Sequence, residues 1–346
     1  MPLSSRRAFH VYTGAKSASD ATVIGVTYNS LLQTVSLVNP FLSANISING
    51  GDAMTTPVSS KGNVNVAVTY QNNLPTQITS AQVTVSLSGN VINPATISAP
   101  NGFYDSTKQT ITWDSTTEPG LAAIQPSDHG QLSFSFQTLP LYSAGKILVT
   151  PTAKLSVSIK GKQPNLGGAV NEVTDFEERS IVVNSDLGFS ADAFYTSGPF
   201  SNTGPIPPKA NEPTTYTVTW TVTNSANALS DALATAALPV YVDWVGTVSP
   251  IGEPITYDET TRTIHWAIGA IPAGTGLSGA PRVVSFQVRL NPSTSQVGSV
   301  PKLVLDTNVS ARDTFTGEML SATRLAISTF LQNDVGFPSL GEVVTN

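Results

Sequence analysis

Apolar and polar residues alternate with a period of two over long stretches of this chain. Val83, Val85 and Leu87 are separated by Thr84 and Ser86, and Leu132, Phe134 and Phe136 by Ser133 and Ser135. Further along, Tyr216, Val218, Trp220 and Val222 alternate with threonines, and Val284, Phe286, Val288 and Leu290 with Ser285, Gln287 and Arg289. Successive side chains of a strand point to opposite faces, so the pattern predicts strands with one buried and one wet face, as in antiparallel sandwiches. Turn signals such as Asn49-Gly50-Gly51, Asn101-Gly102 and Thr316-Gly317 separate the runs. One stretch, Ala228 to Leu238, is rich in Ala and Leu and suits a helix on propensity alone.

The chain repeats itself. Tyr104-Asp105-Ser106-Thr107-Lys108-Gln109-Thr110-Ile111-Thr112-Trp113 returns as Tyr257-Asp258-Glu259-Thr260-Thr261-Arg262-Thr263-Ile264-His265-Trp266, an offset of 153. Val66 to Asn72 matches Val218 to Asn224 at offset 152, and Phe136-Gln137 matches Phe286-Gln287 at offset 150. Asp186-Leu187-Gly188-Phe189 matches Asp334-Val335-Gly336-Phe337 at offset 148. A slowly drifting offset is what two homologous units with small loop differences produce. The counterpart of Ala228 to Leu238 is the alternating run Ala81 to Leu87, so the repeat overrules propensity and predicts a strand over Leu233 to Leu238.

These observations predict an all-β protein of two tandem immunoglobulin-like antiparallel β-sandwich domains. The expected division is an N-terminal segment 1–40, resembling the end of a preceding unit; unit one over 41–184; unit two over 185–333; and a tail 334–346. The Pro-dense stretch Thr196 to Pro213, with Gly198-Pro199, Gly204-Pro205 and Pro207-Pro208, reads as an irregular connection between the copies. Each unit exceeds the ~100 residues of a minimal immunoglobulin domain, with the excess expected around Gly161 to Asp175. Asp334 to Phe337 sits where a further unit would begin, and Ser36-Leu37-Val38-Asn39 resembles the close of unit one at Ser180 to Asn184, so the chain reads like a window from a longer array.

Unit two carries a recognisable run: Tyr216 to Asn224, then Leu238-Pro239, then Ile255-Thr256-Tyr257-Asp258, then Ile264 to Gly274. This run resembles the conserved-repeat domain of unknown function found in bacterial and archaeal surface proteins, whose pattern is a strand ending in Asn, a Leu-Pro step, a Trp strand and a Leu-Pro-Ala-Gly-like turn. Ala236 stands where that family commonly has Asp, and Ser225-Ala226 replaces its Thr-Gly. Unit one keeps Asn72, the Tyr-Asp turn and Trp113 without a clear Leu-Pro step. The resemblance covers roughly residues 50 to 330. It implies an immunoglobulin-like fold and surface exposure, and it carries no catalytic residues over.

Composition narrows the function classes. Charged residues are 12% of the 346, about half the usual share, and Thr, Ser, Asn, Val, Gly and Pro fill the gap. Such Thr/Ser-faced strands are typical of extracellular β-proteins. A net charge of −6 with 17 scattered basic residues argues against nucleic acid. The absence of cysteine excludes disulfides, thiol catalysis and zinc ribbons. No apolar stretch approaches the roughly 18 residues of a membrane-spanning helix, and Arg6-Arg7 is followed by no apolar leader. An export signal or anchor is expected outside this chain.

Candidate chemistry is sparse. His10, His129 and His265 are the three histidines, with no nucleophile elbow, metalloprotease motif or phosphate loop around them. The densest acidic group, Glu172, Asp175, Glu177 and Glu178, gives the metal-ligand candidates for a calcium ion, set against a solvated loop. Trp244 lacks a counterpart in unit one and is the candidate ligand contact, set against packing. Trp113 and Trp266 should fill the two cores, where a Trp buries about 150–250 Å². No cofactor is expected. The sequence therefore favours a non-catalytic structural or spacer segment of a cell-surface protein, with adhesion as a possible use. The alternatives are a carbohydrate- or protein-binding module using exposed aromatics, and a sandwich hydrolase with a carboxylate pair. Expected partners are neighbouring repeats, other surface proteins or a glycan.

Overall fold

A computed structural model describes residues 5–18, 24–37, 41–164 and 170–346. It is all-β, with three short 3₁₀ turns and no α-helix among the described residues. A two-stranded antiparallel ribbon, β1 (Ser5–Lys16) and β2 (Ile24–Leu37), comes first. It occupies most of the predicted segment 1–40. The proposed likeness of Ser36 to Asn39 to the end of unit one falls partly outside the described residues.

The first sandwich follows. Its strands are β3 (Leu42–Ile48), β4 (Thr55–Val58), β5 (Asn63–Asn72), β6 (Ile78–Gly89), β7 (Phe103–Asp105) and β8 (Thr110–Trp113). They continue as β9 (Ala123–Ile124), β10 (His129–Gln137), β11 (Tyr142–Ser143), β12 (Lys146–Ile147), β13 (Thr152–Pro164) and β14 (Val170–Val183). One sheet has the order β10-β5-β3; the facing sheet runs β4-β14-β13-β6-β8-β7, with β9 beside β6. Pairing is antiparallel except for β4, which lies parallel to β14. The inward residues of both sheets, among them Val66, Val68, Val83, Val85, Phe134 and Trp113, form one apolar cluster. The predicted excess near Gly161 to Asp175 is the long β13–β14 hairpin.

The second sandwich repeats this plan. It contains β15 (Leu187–Phe194), β16 (Thr214–Asn224), β17 (Leu229–Ala237), β18 (Val242–Ser249), β19 (Ile255–Asp258) and β20 (Thr263–Ile271). Then come β21 (Arg282–Leu290), β22 (Lys302–Val304), β23 (Thr307–Asp313), β24 (Met319–Arg324) and β25 (Ile327–Ser328). Its sheets run β15-β16-β21-β18 and β19-β20-β17-β23-β24. A second apolar cluster, including Trp220, Trp266 and Phe286, lies between them. Within Ala228 to Leu238, Leu229–Ala237 form β17, as the repeat predicted for most of this stretch, because Ala232, Ala234 and Ala236 alternate into this core and Leu229 joins them across an irregularity in register.

Equivalent residues make equivalent contacts. Tyr104 faces Ile111 as Tyr257 faces Ile264. The Asp105 carboxylate accepts from the amides of Thr107 and Lys108, and Asp258 from those of Thr260 and Thr261. An Asp side chain satisfies the turn's own backbone this way, which is why the residue recurs at both turns. Gln109 and Arg262, four residues after each Asp, share a φ of 54°. Trp113 and Trp266 are fully buried. Their indole N–H groups end differently, on the Pro100 carbonyl at 3.1 Å and on Glu253 Oε2 at 2.9 Å.

Three sequence expectations are corrected. The Pro-dense stretch Thr196 to Pro213 does not join the copies. It runs between β15 and β16, which pair with each other, and so belongs inside the second sandwich. The copies are joined by the short passage from Val183 to Leu187. Asp334 to Phe337 does not repeat Asp186 to Phe189 structurally: the earlier segment enters a strand, the later one is a turn folded back on Tyr195 to Ser197. Finally, Val66 pairs with Phe134 as Val218 pairs with Phe286, so the partner of Phe286 is Phe134 and the offset is 152, not 150. A period of two makes Phe134 and Phe136 equivalent on the sequence, and cross-strand register separates them.

Candidate functional site

The four acidic candidates lie on β14, where alternation divides them. Glu172 and Glu178 point to the outer face, Asp175 and Glu177 toward the neighbouring sheet. Asp175 Oδ2 accepts the Ala44 amide at 2.8 Å. Glu177 pairs with the buried Arg179, whose guanidinium also donates to Asn45 Oδ1 at 3.1 Å and to the Glu178 carbonyl at 2.8 Å. Glu178 binds Lys154 at 2.7 Å and the Ser156 hydroxyl at 3.0 Å, and the Lys154 hydrogen bond holds its carboxyl below the ordinary range. The group thus faces two ways. Asp175 and Arg179 reach Ala44 and Asn45 on β3, an edge strand whose outward amides and carbonyls would otherwise offer a template for another chain. Among the described residues no three His, Cys, Asp or Glu side chains converge on one point.

Trp244 lies on β18 and points inward. Its ring stacks on Tyr257 with centroids 5.8 Å apart and 12° between planes, and leans on Phe286 at 5.1 Å. It is half-buried. Its neighbours Asp243 and Arg289 pair on the opposite face of the sheet. Its stacking on Tyr257 and Phe286 is the packing that the sequence set against a ligand contact. His129 and His265 lie in different sandwiches, on β10 and β20, and His10 lies on β1.

Two further features matter beyond the candidate residues named from the sequence. The first is a fully buried asparagine in each sandwich, Asn72 and Asn224, at the end of β5 and β16. Asn72 Nδ2 donates to the carbonyls of Thr76, Ile124 and Gln125, while its Oδ1 accepts the Leu74 amide. Asn224 Nδ2 donates to the carbonyls of Asn227, Ile271 and Pro272. Each side chain thus ties the end of one sheet to loops of the other. Their identity in the repeat was the available signal.

The second feature is the seam between the sandwiches. Ser185 Oγ donates to Asn224 Oδ1 at 2.5 Å and accepts the Ala226 amide at 2.9 Å. The carboxylate of the fully buried Asp313 accepts the Ser185 amide and Asn227 Nδ2 through Oδ2, and the amides of Phe315 and Thr316 through Oδ1. Asn227 Nδ2 also reaches the Val183 carbonyl at 2.9 Å, the last residue of the first sandwich. Ala226 packs into the first core cluster, and Tyr142 Oη donates to the Leu277 carbonyl across the gap. Gly274, at φ +78°, leaves room for Ile147, whose Cδ1 lies 2.5 Å from where a Cβ would stand. Ser225 and Ala226, two of the positions that depart from the conserved-repeat pattern, are therefore seam residues.

A related polar latch holds the C-terminal tail. Asp334 accepts from the Tyr195, Thr196 and Ser197 amides and from the Thr196 and Ser197 hydroxyls. Burial pushes its carboxyl up, but the hydroxyls of Ser197 and Thr196 and the amides outweigh this and leave it below the ordinary value.

No family model and no curated protein sequence matches the chain. Solved structures of similar local architecture include the C-terminal domain of the antigen I/II polypeptide BspA of Streptococcus agalactiae. That match has 12% identity and a TM-score of 0.30, and covers 83% of this chain and all of that one. BcpA, the major pilin subunit of Bacillus cereus, matches at 10% identity and a TM-score of 0.27, over 85% of this chain and 68% of that one. A type I cohesin of ScaB from Pseudobacteroides cellulosolvens matches at 17% identity and a TM-score of 0.24, over 41% and 92%. At these scores the likeness is one of β-sandwich architecture, and no role passes through it.

Proposed function

We propose that this chain is a non-catalytic structural spacer of an extracellular surface protein, with units at 41–184 and 185–333 set at a fixed mutual angle. The observation that carries the reading is the seam. Asp313 is a buried carboxylate with no cationic partner among the described residues, held by four N–H donors drawn from the connection and the second sandwich. Burying a charge is costly unless hydrogen bonds replace its water, so the arrangement is stable only while the connection stays seated. A flexible linker would need none of this. Thr- and Ser-faced strands with few charges support an extracellular setting. The histidines lie on separate elements, and three of the four acidic candidates are engaged by Ala44, Arg179, Lys154 and Ser156, which supports a structural role for them; the packing of Trp244 argues against a glycan platform there.

The test combines small-angle scattering with rotational diffusion from ¹⁵N relaxation on the full chain. Both sandwiches should tumble as one body, and Asp313→Ala or Asn227→Ala should uncouple them. Independent tumbling of the unaltered chain, or a specific glycan whose binding maps to Trp244, would overturn the spacer reading.

A further inference from the structure

The outer faces of the equivalent sheets β10-β5-β3 and β15-β16-β21-β18 are treated differently by the chain. In the second sandwich the segment after β15 lies across the sheet as a strap. Asn202 Nδ2 donates to Thr217 Oγ1 at 3.0 Å. Gln287 Nε2 donates to Asn202 Oδ1 at 2.9 Å and to the Ser201 carbonyl at 3.3 Å. Thr203 exchanges hydrogen bonds with Thr215, and Gly198 sits over the Thr217 methyl. Thr217 and Gln287 are consequently buried although they point away from the core, and Ser285, bonded to Thr219 on β16, is buried between β16 and β18.

In the first sandwich the corresponding connection, between β3 and β5, leaves this side. It crosses to the other sheet and pairs with β14 as β4. The counterparts of the covered residues are bare. Asn65 and Ser135 stand where Thr217 and Gln287 stand, and Ser133 stands where Ser285 does. Asn65 and Ser133 are exposed and Ser135 half-exposed. With Asn45, Thr69 and Gln131 they make a face of amides and hydroxyls with no outward Asp, Glu, Lys or Arg on these strands; His129 stands at one end of it, and Asn45 Oδ1 is already held by the buried Arg179. The face carries no Trp, Tyr or Phe either, which disfavours a glycan, since sugars are usually held against aromatic rings.

We propose that this bare face binds an extended, uncharged peptide segment of a partner protein, rich in Ser, Thr, Asn, Gly and Pro. The strap shows the chemistry that such a sheet accepts: side-chain amides bridging to hydroxyls and backbone carbonyls, with Gly where backbone crosses a side chain. An uncharged face matches an uncharged partner, because a charge laid on it would lose water and gain no counter-ion. The inference goes beyond the spacer reading and stands or falls independently of the rigidity of the seam.

The test uses the full ¹⁵N-labelled chain titrated with a synthetic peptide of sequence 196–208, which has no charged side chain, its ends blocked. Amides of the outward positions on β3, β5 and β10 should shift, with a dissociation constant of about millimolar, the scale at which a short tether holds such a strap in place. The affinity should not change with salt, because no charges meet. Ser133→Lys and Gln131→Glu, both on exposed positions, should each weaken binding about tenfold while the thermal midpoint stays unchanged. Absence of shifts at about 5 mM peptide, or shifts confined to the second sandwich, would overturn the proposal. So would a neutral polysaccharide or a second copy of the chain occupying the same face in preference to the peptide.

Discussion

Removing the side-chain amide of Asn224 should cost far more than an average substitution. In Asn224→Ala the carbonyls of Asn227 and Pro272 lose donors at 2.7 and 3.0 Å, the Ile271 carbonyl loses a longer one, and Ser185 Oγ loses its acceptor. All of these groups are buried or nearly so. A buried polar group left unpaired costs about 1–3 kcal/mol. With the two short bonds dominating, the loss should be about 3–5 kcal/mol, a large part of a domain's usual stability. Urea denaturation of full-length variants is the assay. The second sandwich holds Trp220, Trp244 and Trp266, so fluorescence reports mainly its transition. Asn224→Asp should be at least as damaging as Ala, because it sets a carboxylate against three carbonyl oxygens. Asn72→Ala should cause a loss of similar size in the first sandwich, followed by Trp113. A change within about 0.5 kcal/mol, the range of inert surface substitutions, or an Asp variant more stable than Ala, would refute the hub reasoning.

Trp113→Ala and Trp266→Ala should each cost about 3–5 kcal/mol as core truncations, measured by the same denaturation. Tyr216→Phe should be neutral or stabilising by up to about 1 kcal/mol, since the Tyr216 hydroxyl is buried with no partner among the described residues, so its removal leaves nothing unsatisfied. The Asp334 carboxyl titrates below its ordinary 3.8, so its contribution is complete above that value and disappears as pH falls through the lower folded value. Thermal melts from pH 6 to pH 2 should show the unaltered chain losing an increment that Asp334→Asn lacks throughout. A chelator should leave the thermal midpoint where it is, and a shift of several degrees would return Glu172, Asp175, Glu177 and Glu178 to candidacy as ligands.

Fold class was legible in the sequence because a half-buried strand must alternate, and because the copies shared enough residues to overrule the helix propensity of Ala228 to Leu238. Register was less legible. Phe134 and Phe136 are interchangeable under a period of two, and the choice between them is made across strands by Val66. The Pro-dense stretch looked like a link because proline marks irregular chain equally well between domains and within one. The acidic group could not be read because a strand sends neighbours to opposite sides, and Asp175 finds its partner at Ala44, 131 residues away. The seam left a faint trace, in Ser225 and Ala226 departing from the resembled pattern. Asp313 left none, since a lone acid in a turn is ordinary until its burial is known.

The seam also bears on how the molecule carries tension. Strand β14 passes almost directly into β15, so any tension passed from one sandwich to the other crosses Val183 to Leu187. There the Ser185 amide is fastened to Asp313, and the Val183 carbonyl to Asn227, on parts of the second sandwich that are distant in sequence. The joint therefore has no slack to take up at low force. Stretching should begin with the rupture of these few buried bonds and proceed as an abrupt lengthening, where a coiled linker would extend smoothly like an entropic spring.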